Sequence, residues 1–290
     1  MSNKATTKVP KVPKLINSDK PAKLAKLAKL AKLAKPVNPA KSAQLLMLPE
    51  VNFSDLGDVR YIHLGTEWVQ GSMLLDAPYD IQLEYVQRMM AGLLFFDQLA
   101  VPKLHAMQLG LGSAALTKFC YKKLRMKTTA IEINPSVVTA CRVWFKLPKD
   151  DVRLSVIAAD ASIEIQKHEH QQSVDLLHVD LYDHEAAAPV LDSADFYQDC
   201  HNLLAENGVM TVNLFGRNSS YAQSLEKMAG VFGPQGVWAF TPTREGNTVV
   251  LAQREPTRPD RAELLQRADD ISSRWGLPAR KWLRLFRPVC

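Results

Sequence analysis

The chain lacks the features that would assign it to several common classes of protein. Its four cysteines, Cys120, Cys141, Cys200 and Cys290, are widely separated and include no C-x-x-C pair, so neither a disulfide framework nor a metal site is predicted. No apolar run approaches the roughly 18 residues of a membrane span, and the N-terminus has no uninterrupted apolar core of a secretory signal. These absences favour a cytoplasmic protein with no transmembrane segment.

Acidic residues are almost missing from the first 41 residues, where eleven lysines stand against Asp19 alone. The segment therefore carries a net charge of +10, and since the whole chain carries +6, the remaining residues carry −4. Residues 22–35 repeat Ala-Lys-Leu between flanking prolines. We interpret residues 1–48 as a disordered basic tail. Either it is a solvated extension with no dedicated partner, or it contacts nucleic acid or anionic surfaces non-specifically through its positive charge.

The body of the chain begins with short, alternating apolar patterns. From Val51 to Leu75 they predict the β-hairpins of a small antiparallel lobe, which we assign to residues 49–80. The segment Ile81–Leu99 carries apolar residues at helical spacing and predicts a helix. The 290 residues thus suffice for one sizeable folded domain with appendages.

The following residues alternate strictly between strands and helices. Strands are predicted near 104–109, 127–133, 152–158, 174–180 and 207–214, and helices near 114–124, 135–146, 161–168, 193–205 and 217–230. Two late strands, near 236–241 and 248–253, are close enough to pair antiparallel. We therefore predict an α/β fold, a doubly wound sheet over residues 81–258 into which the last two strands are inserted as a hairpin.

The C-terminal stretch, residues 259–290, predicts a helix followed by a basic segment that contains Trp275, Trp282 and Phe286. Basic and aromatic residues together are compatible with nucleic-acid binding. They are also compatible with docking on the core, with the aromatic rings buried and the arginines extending into solvent. We favour docking.

A glycine turn follows the first strand of the alternating region. Gly110 and Gly112 separate this strand from the next helix. In an open parallel sheet, ligands bind outside the carboxyl ends of the strands, and a helix that starts there offers free N–H groups to an anionic group. The residues after Gly112 do not complete G-x-G-x-x-G, which disfavours a dinucleotide ligand.

Acidic residues follow the next two strands. Glu132 lies 22 residues after Gly110, the spacing at which a carboxylate accepts both hydroxyls of a ribose. Asp160 follows the third strand, where it can accept a base amino proton while Ala161 leaves space for the ring. The alternatives are a solvated strand-end acid for Glu132 and a helix N-cap for Asp160. Together with the glycine turn, the pattern predicts a nucleoside-binding crevice.

Asp180 and Asp183 follow the fourth strand, which is apolar and predicted to be buried. Two carboxylates three residues apart on one loop can hold an ammonium group, and one of them can remove its proton as a general base. The alternative is an acidic loop that only caps the following helix. We predict that both aspartates are catalytic.

These residues resemble the polyamine aminopropyltransferase (spermidine synthase) family, a branch of the class I S-adenosylmethionine-dependent transferases with a Rossmann-like sheet. The resemblance covers about residues 55–253. The glycine turn lies where the family has its glycine-rich turn, and Glu132-Ile133-Asn134 where it has Glu-Ile-Asp. Asp180-Leu181-Tyr182-Asp183 lies where the family has Asp-Ser-x-Asp-Pro, whose first Asp is its proton acceptor.

The resemblance implies an enzyme that moves an aminopropyl group from decarboxylated S-adenosylmethionine, its co-substrate, to a small amine acceptor and releases methylthioadenosine. Asp180 would activate the acceptor, and no metal is implied. The residues implied to bind the co-substrate are Gly110, Gly112, Glu132, Asp160 and Ala161. A homodimer is a further expectation from the family.

The chain departs from the family pattern at the acceptor end. Ser113 replaces an Asp that helps to bind the diamine, and His184 replaces the Pro after the second Asp. Val86, Gln87 and Arg88 stand in place of a Tyr-His-Glu motif. Two alternatives therefore stay open: a methyltransferase that uses ordinary S-adenosylmethionine on the same fold, and a non-catalytic nucleoside-binding protein.

Overall fold

The computed structural model describes residues 48–181, 191–215 and 219–289. The predicted basic tail lies outside the described residues, and so does Asp183. All elements below belong to the unit formed by Pro49–Cys290. Among the described helices, none is both long enough and apolar enough to cross a membrane.

A small antiparallel sheet opens this unit, as the alternating pattern predicted. Its strands are β1 (Val51–Leu56), β2 (Val59–Leu64) and β3 (Gly71–Leu74), paired in that order. Ile62 and Met73 are fully buried on one face of the sheet, where they join an apolar cluster with residues of the main body. The alternation of apolar and polar residues therefore reflects one buried and one solvated face.

The helix predicted over Ile81–Leu99 is shorter than expected and changes type. An α-helix, α1, covers Glu84–Met89, and a 3-10 helix continues it over Met90–Phe95. Every residue from 90 to 94 is buried, so this part is packed on all sides and has no polar face. A side chain at Gly92 would collide with Leu176 of the large sheet. Close contact with the sheet, which no periodicity reveals, thus overrides the helical pattern.

The large sheet contains the five predicted strands, the predicted hairpin and one further strand. Its members are β4 (His105–Leu109), β5 (Lys127–Glu132), β6 (Leu154–Ala158), β7 (Val174–Val179), β8 (Leu204–Phe215), β9 (Val237–Phe240), β10 (Asn247–Gln253) and β11 (Phe286–Pro288). Within the described residues their order is β11-β9-β10-β8-β7-β4-β5-β6. Strands β4 to β8 pair in parallel, and β10 inserts antiparallel between β8 and β9. The predicted doubly wound sheet with an inserted hairpin is confirmed.

Helices cover both faces of this sheet. They are α2 (Ala115–Lys122), α3 (Pro135–Trp144), α4 (Ala161–Glu164), α5 (Ala194–Leu203), α6 (Ser219–Phe232), α7 (Arg261–Trp275) and α8 (Ala279–Leu285). Successive residues of β7 illustrate the layering, because Leu176 and Leu177 are both fully buried but belong to different apolar clusters. Because helices cover both faces, the central strands β4 and β7 are buried along almost their whole length and show no alternation of buried and exposed residues.

The C-terminal aromatic residues dock on the core, as favoured from the sequence. Trp282 and Phe286 are buried, and the ring of Phe286 stacks on Trp238 with the ring centroids 5.1 Å apart. The chain then adds β11 to the edge of the sheet beside β9. This three-residue strand was not predicted, because it is too short to show a pattern.

Two histidines are buried in the large sheet. His105 contacts the Ser173 carbonyl oxygen and the Thr129 hydroxyl, each at 2.9 Å, and His178 contacts the Thr211 hydroxyl at 2.9 Å. Burial penalises the charged imidazole, and it lowers the pKa of His105 to about 4 and that of His178 to about 3. Both side chains are therefore neutral at physiological pH.

We expect acidification to destabilise the fold through these histidines. In the unfolded chain each imidazole takes up a proton near pH 6.5, whereas in the folded chain it does so only near pH 4 or 3. Stability is therefore full above about pH 6.5 and falls below it, by about 2 kcal/mol per histidine between pH 7 and pH 5. Urea unfolding followed by circular dichroism measures this change. His178→Gln should remove its share of the pH dependence, whereas replacement of the exposed His168 by Gln should not; an equal slope in both variants would contradict the assignment.

Candidate functional site

Four strands of the large sheet end side by side in the order β7-β4-β5-β6. Asp180 and Gly110 directly follow β7 and β4, Glu132 is the last residue of β5, and Asp160 lies two positions after β6. Strand order reverses at β4, since the chain continues from there to β5 on one side and returns to β7 on the other. Such a switch point is where ligands bind in open α/β sheets. The structure thus brings four of the predicted site positions to one edge of the sheet.

At two positions of the glycine turn, the backbone lies too close to a neighbouring chain segment for a residue with a side chain. Gly110 has φ of +82°, and a Cβ atom there would strike the carbonyl oxygen of Asp180. Gly112 has φ of +52°, and a Cβ atom there would lie 2.9 Å from the carbonyl oxygen of Gln70. The turn is therefore held between β7 on one side and the chain that leads into β3 on the other.

Glu132 lies beside this turn and is almost completely buried. Its Oε2 accepts the N–H of Leu111 and its Oε1 the N–H of Asn134, both at 2.8 Å. Burial raises the pKa of Glu132, and the two N–H donors partly offset that effect. Each carboxylate oxygen has a second lone pair, so these contacts leave acceptor capacity for a ribose. In addition to its predicted role, Glu132 thus ties the glycine turn to the start of α3.

Asp160 adopts the N-cap position that was the alternative from the sequence. Its Oδ1 accepts the N–H of Ser162 at 2.9 Å and the hydroxyl of the same residue at 2.7 Å. Ala161, the first residue of α4, is buried. The cap uses one of the two carboxylate oxygens, so capping and ligand binding are compatible in this geometry.

Two exposed isoleucines beside these acids were not predicted from the sequence to belong to the site. Ile133 directly follows Glu132 and is 46% exposed, and Ile163 in α4 is 67% exposed. Apolar side chains left in water at a crevice offer a surface for the face of a flat ring. The available signal was an apolar residue shortly after each acid: Ile133 comes one position after Glu132, and Ile163 comes three positions after Asp160.

Asp180 emerges from β7 between two side chains that sequence reasoning also missed. Its Oδ1 accepts the side-chain N–H of Asn213 at 2.9 Å, and its Oδ2 accepts the hydroxyl of Tyr85 at 3.3 Å. Asn213 is in turn bound by the side-chain amide of Asn247 at 3.1 Å. Asn213 lies near the carboxyl end of β8, next to β7, so its position in the strand was a usable signal. Asn247 and Tyr85 had none.

The surroundings of Asp180 change its acidity. Burial raises the pKa of its carboxyl group, while the hydrogen bonds from Asn213 and Tyr85 act in the opposite direction. A carboxylate with a raised pKa is a stronger base, which suits it to accept a proton. Asp183, its predicted partner, lies outside the described residues.

Two of the three residues at the missing Tyr-His-Glu motif, Gln87 and Arg88, are hydrogen-bonded away from this site. Arg88 is buried and donates to the carbonyl oxygen of Thr241 at 2.6 Å. Gln87 donates to the carbonyl oxygen of Ile81 at 2.8 Å. Only their neighbour Tyr85, one position before the motif, reaches the carboxylate of Asp180.

A small cleft opens beside Asp180. It lies between the start of β3, the loop and first turn of α1, and the glycine turn. Its polar lining residues are Gln70, Ser72, Gln82, Tyr85, Gln108, Ser113 and Asp180. The predicted general base thus lies in the wall of this cleft.

Comparison with known proteins places this geometry in context. No family model matches the chain. A polyamine aminopropyltransferase of Neisseria meningitidis is 33% identical over 237 residues, which cover 81% of this chain and 88% of the relative. Among solved structures, a probable spermidine synthase from Corynebacterium glutamicum superposes with a TM-score of 0.65 at 18% identity and covers 86% of this chain and 94% of its own. Human methyltransferase-like protein 13 in complex with SAH gives 0.60 at 22% identity, covering 67% and 93%.

The two structures share the fold of the chain, which confirms the predicted class I S-adenosylmethionine-dependent transferase architecture with a small antiparallel sheet. The methyltransferase spans less of this chain than the synthase does. Sequence identity of 33% over 81% of the chain goes further than fold. It confirms the resemblance inferred from the sequence, and the chain belongs to the polyamine aminopropyltransferase family.

Proposed function

We propose that the chain transfers an aminopropyl group from decarboxylated S-adenosylmethionine to an amine acceptor and releases methylthioadenosine. The observation that carries this proposal is the position of Asp180. Its carboxylate lines the cleft next to the glycine turn and is held by Tyr85 and Asn213. Membership of the aminopropyltransferase family supports the same reaction.

Asp180 acts as the general base in this proposal. The acceptor nitrogen forms a bond to the aminopropyl carbon next to sulfur, and the carbon–sulfur bond breaks with its electron pair moving to sulfur. Asp180 takes the proton that the nitrogen loses, and Asn213 and Tyr85 keep its two oxygens oriented. Burial raises the pKa of the carboxyl group, which makes its carboxylate a stronger base.

The crevice along β4, β5 and β6 holds the adenosyl part of the donor in this proposal. Glu132 and Asp160 keep acceptor capacity for the ribose hydroxyls and the adenine amino group. The exposed faces of Ile133 and Ile163 would be covered by the adenine ring, which removes apolar surface from water.

The donor decides between this proposal and a methyltransferase. The protein is incubated with mixed amines and either decarboxylated or ordinary S-adenosylmethionine, and the products are identified by mass spectrometry. We expect an aminopropylated amine and methylthioadenosine from the decarboxylated donor. Methylated product and S-adenosylhomocysteine from the ordinary donor would overturn the proposal.

Replacement of Asp180 by Asn should abolish transfer and spare donor binding. The amide is nearly isosteric but cannot accept the proton, so we expect kcat to fall by about 10²- to 10⁴-fold. Isothermal titration with methylthioadenosine should give an almost unchanged dissociation constant. Asp195→Asn, at an exposed aspartate of α5, is the matched control and should keep full activity. Full activity in the Asp180 variant would show that Asp180 is not the general base.

Asn213→Ala should shift the pH dependence of the reaction. Loss of its hydrogen bond raises the pKa of Asp180 further, because that bond favours the ionised carboxylate. A base must be ionised to accept a proton. As the pH is lowered, the variant should therefore lose activity at a higher pH than the unmodified protein does. The acidic limb of the kcat–pH profile measures this shift. Asn247→Ala, which acts through Asn213, should give a smaller shift in the same direction. If the acidic limb lies at the same pH in both variants as in the unmodified protein, the two asparagines do not position Asp180.

Asp160→Asn separates the two roles considered for this residue. Asparagine is as good an N-cap as aspartate, so the stability of the fold should be unchanged. Its side-chain N–H₂ would face the adenine amino group in place of an acceptor, so the KM for the donor should rise about tenfold. Asp160→Ala should also lose about 1 kcal/mol of stability. If the KM for the donor is unchanged in the Asn variant, Asp160 acts only as the N-cap of α4.

A further inference from the structure

The wall of the cleft beside Asp180 contains a buried glutamine from the centre of the sheet. Gln108 lies in β4, is only 5% exposed and lines the cleft together with Asp180. Its Oε1 accepts two hydrogen bonds from Thr117 of α2, one from the backbone N–H at 3.0 Å and one from the hydroxyl. A backbone N–H can only donate, so this contact fixes which end of the amide is oxygen and which is nitrogen.

The nitrogen end of the same amide is left for the cleft. Nε2 of Gln108 has no acceptor among the described residues, yet it is not one of their unpaired polar atoms that are closed to solvent. The nitrogen is therefore open, and the cavity that Gln108 borders is this cleft. Polar groups of buried side chains are almost always hydrogen-bonded, so a donor held in this way indicates a bound group that accepts from it.

Asp180 offers acceptors to the same cleft. Gln108 lies opposite His178 in the parallel pair of β4 and β7, and Asp180 comes two residues after His178. Because side chains two positions apart lie on the same face of a sheet, Gln108 and Asp180 share a face. Each oxygen of the Asp180 carboxylate accepts one hydrogen bond, from Asn213 or from Tyr85, and has a second lone pair.

The size of the cleft selects the group that joins this donor to these acceptors. The cleft has a free volume of about 20 Å³. A water molecule needs at least about 10–15 Å³ and two or more polar partners, so the cleft accommodates about one. Water accepts a hydrogen bond from an amide N–H and donates one to a carboxylate oxygen, so a single molecule satisfies both sides.

We propose that one ordered water molecule binds in this cleft, where it accepts a hydrogen bond from Nε2 of Gln108 and donates one to the carboxylate of Asp180. Like the bonds from Asn213 and Tyr85, this bond favours the ionised carboxylate and fixes its orientation. Gln108 is then a third positioning residue of the general base. That role rests on the proposed aminopropyl transfer, whereas the water site does not.

A crystal structure of the full chain tests the water site directly. We expect a water within about 3.2 Å of both Nε2 of Gln108 and a carboxylate oxygen of Asp180. Gln108→Leu removes the donor and should remove the water. Thr117→Val is the matched control, because it removes one bond to Oε1 but keeps the backbone N–H and the Nε2 donor, and the water should stay. A cleft without this water, or the same water in the Leu variant, overturns the inference and leaves the proposed function standing.

The groups around Asp180 make the acidic limb of the kcat–pH profile a measure of its own carboxyl group. It faces the hydroxyl of Tyr85 from α1 and the uncharged amide of Asn213 from β8. His178, which precedes it on β7, is buried and neutral. Burial and these two hydrogen bonds set its pKa within the described part of the chain. A shift of the limb therefore reports on the hydrogen bonds to Asp180.

Gln108→Leu should move this limb to higher pH by about one unit, because the carboxylate loses one hydrogen bond. Thr117→Val should leave it in place. The position of the limb does not depend on the amount of active protein, so damage to the fold alone does not move it. An unmoved limb in the Leu variant, or complete loss of activity in that variant alone, overturns the positioning role. If the unmodified chain releases no methylthioadenosine, the proposed function falls and the positioning role with it, and the crystal structure still decides the water site.

Discussion

The crevice depends on one buried carboxylate. Glu132 accepts the N–H of Leu111 in the glycine turn and the N–H of Asn134 at the start of α3, each at 2.8 Å. A buried charge is tolerated only when it is hydrogen-bonded, and the two turns are therefore held in one arrangement around it. The close approaches of Gly110 to Asp180 and of Gly112 to Gln70 require that arrangement, because neither leaves room for a side chain.

The surroundings of Asp180, the proposed general base, are assembled differently, from residues far apart in the chain. Asp180 contacts Tyr85, 95 residues earlier, and Asn213, 33 residues later. Asn247 on the inserted hairpin strand completes the series by binding Asn213. The hairpin therefore does more than extend the sheet, since β10 lies against β8 and brings the amide of Asn247 to Asn213, which donates to Asp180.

The donor half was predictable because its signals are local. A glycine turn, an acid 22 residues later and an acid after the third strand each follow a recognisable strand, and parallel strands align their carboxyl ends at one edge. The N-cap role of Asp160 was predictable for the same reason, as it involves only Ser162. Predictions failed where packing decides: the helix expected up to Leu99 becomes a 3-10 helix against the sheet, and β11 is too short to carry a pattern.

The sequence by itself determined the order of strands and helices, the family, and the residues at the strand ends, because periodicity and spacing act over a few neighbouring residues. Only the tertiary structure decided what surrounds Asp180. Tyr85, one position before the absent motif, donates to Asp180, and Gln70 and Gln82 line one cleft from separate elements. Such contacts depend on how distant elements pack, and a hydrogen bond between residues dozens of positions apart leaves no periodic trace in a single sequence.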